Sequence, residues 1–246
     1  MKSVLVITPT TGSPDVIDAI KSVTNQTYEN VEHLLVVDGS KFSSDADKTL
    51  NDAGIFTCGK IRRADIPYNT GGKGYYGHRV MAAFSHLADH DYIMFLDQDN
   101  WYEPDHVQSL VEECERYNYE WTYSLRNIYN KNKEFICQDN CESLGRYPAY
   151  INEQAFLIDS SSYCFTNNFI RMTGHLWDFG WGADRRFYSI VKDQMQHKNY
   201  GSNNKHTLNY RLGGNEGSVT DGFFFEGNRQ MNQKYNGVYP WTKQYK

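Results

Sequence analysis

Two aspartates one residue apart, Asp97 and Asp99, directly follow the apolar run Tyr92-Ile93-Met94-Phe95-Leu96. Alternate residues of an extended chain point the same way, so both carboxylates can face one hard cation. Without a cation or a proton between them they repel each other. A continuous apolar run bounded by polar residues suits a strand buried on both faces of a sheet. Its C-terminal mouth is where open α/β sheets bind ligands. Strand-end carboxylates also cap helices, which is the plainer reading of this stretch alone. A calcium loop fits poorly, because Trp101 and Tyr102 take the last two positions of its D-x-[DN]-x-[DN]-G pattern.

The elements that must position these acids follow from the rest of the chain. Val4 to Ile7 reads as a buried first strand, ending at Thr8-Pro9-Thr10-Thr11-Gly12. Ser13-Pro14-Asp15 opens a helix with a capping hydroxyl, a first-turn proline and an acid. Val31 to Val37 is a second strand, closing at Asp38-Gly39-Ser40, so the chain begins with a βαβ unit and a parallel sheet. Ile55 to Ile61 reads as a weaker third strand. After the loop Asn69 to Gly74, the residues Tyr76, Val80, Ala83, Phe84 and Leu87 predict a helical stripe, with His78 and Arg79 near its start. A further helix follows Pro104. Trp121 to Leu125 and Phe135 to Ile136, with a polar turn between, predict an antiparallel pair and hence a mixed β second half. A helix is expected from about Arg185 to Val191. The Asn- and Gly-rich tail after Tyr200 reads as loops, with Thr207 to Leu212 an edge strand.

The chain has 246 residues, 15% aromatics including 19 Tyr, and a formal net charge of -5. Nothing linker-like divides it, so a single domain over 1–246 is expected: about 1–100 for donor binding, 101–212 for the acceptor, 213–246 as a tail. The acidic balance argues against nucleic acid as a partner. No apolar run approaches a transmembrane span, and the N-terminus lacks a signal-peptide pattern. Five scattered cysteines fit reduced thiols and a cytoplasmic location.

Several blocks, in order and spacing, resemble the family 2 glycosyltransferases of the GT-A fold. Val4 to Thr10 is similar to that family's first strand and Pro-Thr turn. Ser22-Val23-Thr24-Asn25-Gln26-Thr27-Tyr28 resembles its Ser-Val-x-x-Gln-Thr-Tyr helix end, and Asp97-Gln98-Asp99 its Asp-x-Asp. Gly180-Trp181-Gly182-Ala183-Asp184 stands where the family often has Gly-x-Glu-Asp. The resemblance covers about residues 1–212. It implies an α/β fold with a Rossmann-like nucleotide-binding half, a mostly parallel central sheet flanked by helices, and a smaller mixed β acceptor side. The implied activity is metal-dependent, inverting transfer of a sugar from a nucleotide-sugar donor, expected to be a UDP-sugar, to a hydroxyl of a glycan or other acceptor.

By the same resemblance, Thr8, Pro9, Thr10 and Asp38 hold the nucleoside, while Lys73 and Arg79 line the diphosphate side. Asp97 and Gln98 lie by the donor, and Asp97 and Asp99 bind Mn²⁺ or Mg²⁺, with His206 as a candidate third ligand. Asp184 is the implied catalytic base, with Asp178 as a fallback. Trp177, Trp181 and Gly182 are the acceptor-side candidates; packing in the core is the competing reading of both tryptophans. Arg185-Arg186 reads better as the flank of a helix than as an anion site. Ala183 departs from the family pattern, since an acid often precedes the base. That departure keeps a non-catalytic glycan- or nucleotide-sugar-binding module as an alternative. A nucleotidyltransferase on a related fold is another, although Thr8 to Gly12 lacks the Arg and Lys its first loop usually carries.

Overall fold

In the computed structural model, residues 1–151, 153–213 and 219–242 are described. The strands are β1 (Val4–Thr10), β2 (Val31–Asp38), β3 (Ile61–Ile66), β4 (Tyr92–Phe95), β5 (Trp101–Tyr102), β6 (Trp121–Tyr129), β7 (Phe135–Gln138), β8 (Tyr163–Thr166) and β9 (Tyr200–Arg211). The helices are α1 (Val16–Thr24), α2 (Ser43–Asp52), α3 (His78–Leu87), α4 (His106–Tyr117), α5 (Asn167–Thr173), α6 (Ala183–Ser189) and α7 (Asp221–Tyr235). One sheet runs through both halves in the order β3-β2-β1-β4-β8-β6-β9-β5, with β7 on β6.

The first four of these strands pair in parallel, which is what the βαβ reading requires. Pairing turns antiparallel at β4–β8 and β8–β6. It is parallel again at β6–β9 and antiparallel at β9–β5. Every residue of β1 and β4 is buried, so these strands are apolar throughout rather than alternating. Two apolar layers cover the sheet. One gathers Ile7, Phe95, Tyr163, Phe165, Trp177 and Phe187; the other gathers Val6, Met94, Val107, Leu110 and Val111.

Three sequence expectations shift. The third strand lies at Ile61–Ile66, because Gly54 and Gly59 at positive φ turn the chain back from α2 before it can pair with β2. The helix expected around Tyr76–Leu87 buries Val80, Met81, Ala82 and Ser85, while Leu87 is 71% exposed. Its inner face packs on the 174–177 turn, and Gly174 sits where a Cβ would strike Ser85. The region after Tyr200 is not loops with an edge strand. It forms β9, held between β6 and β5, and then the 15-residue helix α7. β9 alternates poorly in polarity and owes its strand to backbone pairing with β6 along most of its length and with β5 at Leu208 and Asn209.

Candidate active site

The parallel strands β2, β1 and β4 end side by side, and a cleft of about 500 Å³ opens over their C-terminal mouths. Pro9, Thr10 and Thr11 from the end of β1, Asp38 from β2, and Asn69, Gly71 and Gly72 line one wall. Asp97, Gln98 and Asp99 form the floor. Asp159, Glu142, Trp181, Gly182, Asp184 and Arg185 line the far wall, with Arg126, Tyr210 and Arg211 behind.

The floor is built by hydrogen bonds. Gln98 Oε1 accepts from the Thr10 hydroxyl (2.8 Å) and the Thr11 backbone N–H (3.1 Å), fastening β1 to the acidic stretch. Asp97 Oδ2 accepts from the hydroxyls of Ser160 (3.0 Å) and Ser161 (3.2 Å). Burial and the neighbouring Asp159 nevertheless push the Asp97 carboxyl above its ordinary range. Burial and the Asp97 charge push Asp99 up to about 7. These two acids are therefore short of positive charge.

Asp38 is placed at the cleft wall as expected, but its carboxylate is already engaged. Oδ1 accepts from the Thr70 backbone (2.7 Å) and hydroxyl (2.8 Å); Oδ2 accepts from the Gly71 backbone (2.7 Å) and Asn69 Nδ2 (3.1 Å). It shapes the 69–72 loop that lines this part of the cleft. Only glycine fits at 71, where a Cβ would lie 1.9 Å from the Tyr76 carbonyl oxygen.

Asp184 is the second residue of α6, one position after the buried Ala183. Gly182 caps that helix at φ +80, a left-handed turn that brings the following carboxylate to the cleft. Burial pushes the Asp184 carboxyl up. Trp181, beside it, is 62% exposed and carries the Arg185 guanidinium over its ring at 4.9 Å.

Other expected site residues are not brought to the cleft wall. Thr8 points to the other side of β1, where its hydroxyl meets His33 Nε2 at 2.8 Å. Lys73 is exposed in a turn outside the cleft lining, and Arg79 pairs with Asp178 at 2.9 Å on the surface. Asp178 is spent on that pair rather than facing the cleft as a second base. Trp177 is fully buried and stacks on Phe187 at 4.5 Å, so packing wins over sugar stacking. His206 does not line the cleft. It sits in β9 beside Asp139 with its Nε2 buried and unpartnered, and burial lowers it to about 4, keeping it neutral. No helix among the described residues is long and apolar enough to cross a membrane, and Cys58, Cys114, Cys137, Cys141 and Cys164 are all free.

Sequence reasoning missed the arginines. Arg126, in the middle of β6, is buried and donates to Asp139 (2.8 Å), Glu142 (2.5 Å) and Asp159 (2.7 Å). Arg211, at the end of β9, joins Asp15 and Asp18 of the α1 entry, with its Nε buried and unpartnered. Arg185, read as a helix flank, lines the cleft instead, between Phe156 and Trp181. A charged residue inside the aromatic run Trp121 to Tyr129 was the available signal for Arg126.

Among the described residues, no three His, Cys, Asp or Glu side chains stand close enough to cage a metal ion. Two carboxylates completed by ligand phosphates is an arrangement that Mg²⁺-type cations accept. The raised Asp97 and Asp99 fit that partial donor set.

With this geometry in view, the comparisons with known proteins agree in kind. The fold is similar to that of TarS from S. aureus. The 1–349 chain solved in complex with UDP-GlcNAc superposes with TM-score 0.61 at 12% identity, over 96% of this chain and 67% of that one. The same chain in complex with UDP gives 0.60 at 12%, over 96% and 66%. A longer TarS chain gives 0.58 at 13%, and this protein spans 40% of it. A search of curated protein sequences finds no match. The family model described as glycosyl transferase family 2 matches residues 3–175, well over half of the sequence and spanning β1, the Asp-Gln-Asp floor and α5. The chain belongs to glycosyl transferase family 2.

Proposed function

We propose that this family 2 glycosyltransferase moves a sugar from a UDP-sugar to an acceptor hydroxyl with inversion, assisted by Mn²⁺ or Mg²⁺. The observation that carries the reading is one cleft lined both by Asp97 and Asp99, just after β4, and by Asp184 of α6. The TarS chains of like fold are complexes with UDP-GlcNAc and UDP, which supports a uridine donor.

The chain's own residues divide the work. The Pro9–Thr11 turn and the Asp38-ordered 69–72 loop frame a slot for the nucleoside. Asp99 and Asp97 would hold the divalent cation, whose charge, when bound, offsets that of the leaving diphosphate. Asp184 takes the proton from the acceptor hydroxyl as its oxygen bonds to the anomeric carbon. The bond from that carbon to the phosphate oxygen breaks, and the nucleoside diphosphate leaves with the electron pair. Attack from the base's wall, opposite the leaving group, inverts the anomeric centre. Burial that raises the Asp184 pKa also makes its carboxylate a stronger base. Trp181 offers an exposed ring for a sugar face on the acceptor side.

A donor panel tests this. UDP-, GDP- and dTDP-sugars are incubated with Mn²⁺ or with EDTA, and nucleoside diphosphate release is followed. Cation-dependent release from a UDP-sugar is expected. Release from none, with no thermal shift by UDP plus Mn²⁺, would overturn the catalytic reading in favour of a binding module.

A further inference from the structure

His78 opens α3 at the cleft wall, and nothing in the mechanism so far uses it. Its Nδ1 lies 3.0 Å from the Phe179 carbonyl oxygen. A carbonyl only accepts, so Nδ1 must carry the hydrogen, and neutral His78 then presents Nε2 as an acceptor. Among the described residues, no protein group hydrogen-bonds Nε2. The ring is held edge-on by Tyr76 (5.9 Å) and beside Trp177 (6.3 Å). Arg79 and Asp178 clamp the same two segments one residue along. This is a fixed imidazole with one committed nitrogen and one free.

Its position is informative. The ring lines the same cleft as the floor acids Asp97 and Asp99 and the base Asp184, and borders the interval they bound. In the displacement, the transferred sugar must occupy that interval, because one face of its anomeric carbon meets the diphosphate and the other the acceptor oxygen. We propose that His78 determines donor-sugar specificity, its Nε2 accepting a hydrogen bond from a hydroxyl of the transferred sugar. The inference rests on the nucleotide-sugar reading above and names the group that reads the sugar in it.

Two variants separate the nitrogens. In His78→Asn the side-chain amide can keep the tie to Phe179 but cannot reach the Nε2 position; in His78→Gln the amide oxygen reaches it. Binding of UDP, UDP-glucose, UDP-galactose and UDP-GlcNAc in Mn²⁺ is measured by calorimetry, with thermal melting as the folding control. For the tightest wild-type UDP-sugar, His78→Asn is expected to weaken affinity about three- to tenfold, the range of one neutral hydrogen bond. UDP affinity and melting temperature stay at wild-type values, and His78→Gln recovers most of the loss. Wild-type-like binding of the UDP-sugar by His78→Asn overturns the inference. So does an equal loss for UDP, which would place the residue on the nucleotide or the loop. A wild-type protein that binds none of the four ligands brings down the donor reading itself, a separate outcome.

Discussion

Two groups of acids, one lining this cleft and one reaching from it to the buried Asp139 behind, differ in how their charge is met. Asp139, Glu142 and Asp159 converge on the single buried guanidinium of Arg126, each within hydrogen-bond distance. Burial opposes ionisation of Asp139, yet Arg126 and the backbone N–H groups of Cys141, Ser143 and Glu142 outweigh it and hold its carboxyl below the ordinary range. Asp97, Asp99 and Asp184 have no such partner, and all three are pushed up. In the first group burial pushes Glu142 up as well, against the pull of Arg126, but each acid keeps its hydrogen bond to the guanidinium, and the group serves to tie the 139–145 segment and Asp159 onto β6. The second has no such cation among the described residues; in the proposed reaction a divalent cation would answer the floor acids and an acceptor proton would answer Asp184. Asp159 stands at the boundary, paired with Arg126 while also raising Asp97. The lack of a hydrogen-bonded cation, rather than acid content or a raised carboxyl alone, separates the two groups.

The comparison is broken most directly at the base. Asp184→Asn should lower kcat by about 10²- to 10⁴-fold, the usual contribution of general-base catalysis, with melting unchanged or raised. If turnover survives, the second group does not contain the base. The paired group should fail differently. Arg126→Met leaves buried carboxylates without their cation and should cost about 3–5 kcal/mol of stability, read as a lowered denaturant midpoint that Mn²⁺ with UDP does not restore. An Arg126→Met protein as stable as wild type would make the pairing idle.

A pH series sharpens the contrast. Asp99 titrates near 7 when folded against 3.8 as a free side chain, so the folded state holds its proton more tightly. Its contribution to stability is therefore full at acid pH and is lost as pH rises from about 4 through 7. In EDTA the melting temperature should fall across that window, and Asp99→Asn should flatten part of the slope. Asp97 and Asp184 shift in the same sense and keep the remainder. A melting temperature that rises through the window would contradict the assignment. The smallest effect is expected at Trp181, where an alanine should change stability by no more than about 0.5 kcal/mol while raising the acceptor KM. The same change at buried Trp177 should cost about 3–5 kcal/mol. Equal denaturant midpoints for the two variants would erase that distinction.

How much of this was legible in the sequence follows from what each feature depends on. β1, β4 and the Leu35–Val37 part of β2 are buried on both faces, and burial on both faces writes itself as unbroken apolar runs. The Asp-Gln-Asp floor was visible because a strand end and its acids are contiguous. β9 was not, since Tyr-Gly-Ser-Asn-Asn-Lys-His-Thr-Leu-Asn-Tyr-Arg owes its strand to backbone pairing with β6 and β5 rather than to its own polarity. Lys73 and Arg79 are the diphosphate-side cations that the family resemblance implies, and neither lines the cleft. The cations that the fold brings to the cleft, Arg126, Arg185 and Arg211, arrive from β6, α6 and β9. The partners that fix Arg126 lie 13 to 33 residues away along the chain, a distance no local pattern spans.

Calorimetric titration of Mn²⁺ into the protein with UDP present tests the central contrast most directly, comparing wild type, Asp99→Asn and Glu142→Gln. Wild type and Glu142→Gln should each bind one cation, and Asp99→Asn should lose at least tenfold in affinity. Undiminished Mn²⁺ binding by Asp99→Asn, or its loss only in Glu142→Gln, would contradict the account.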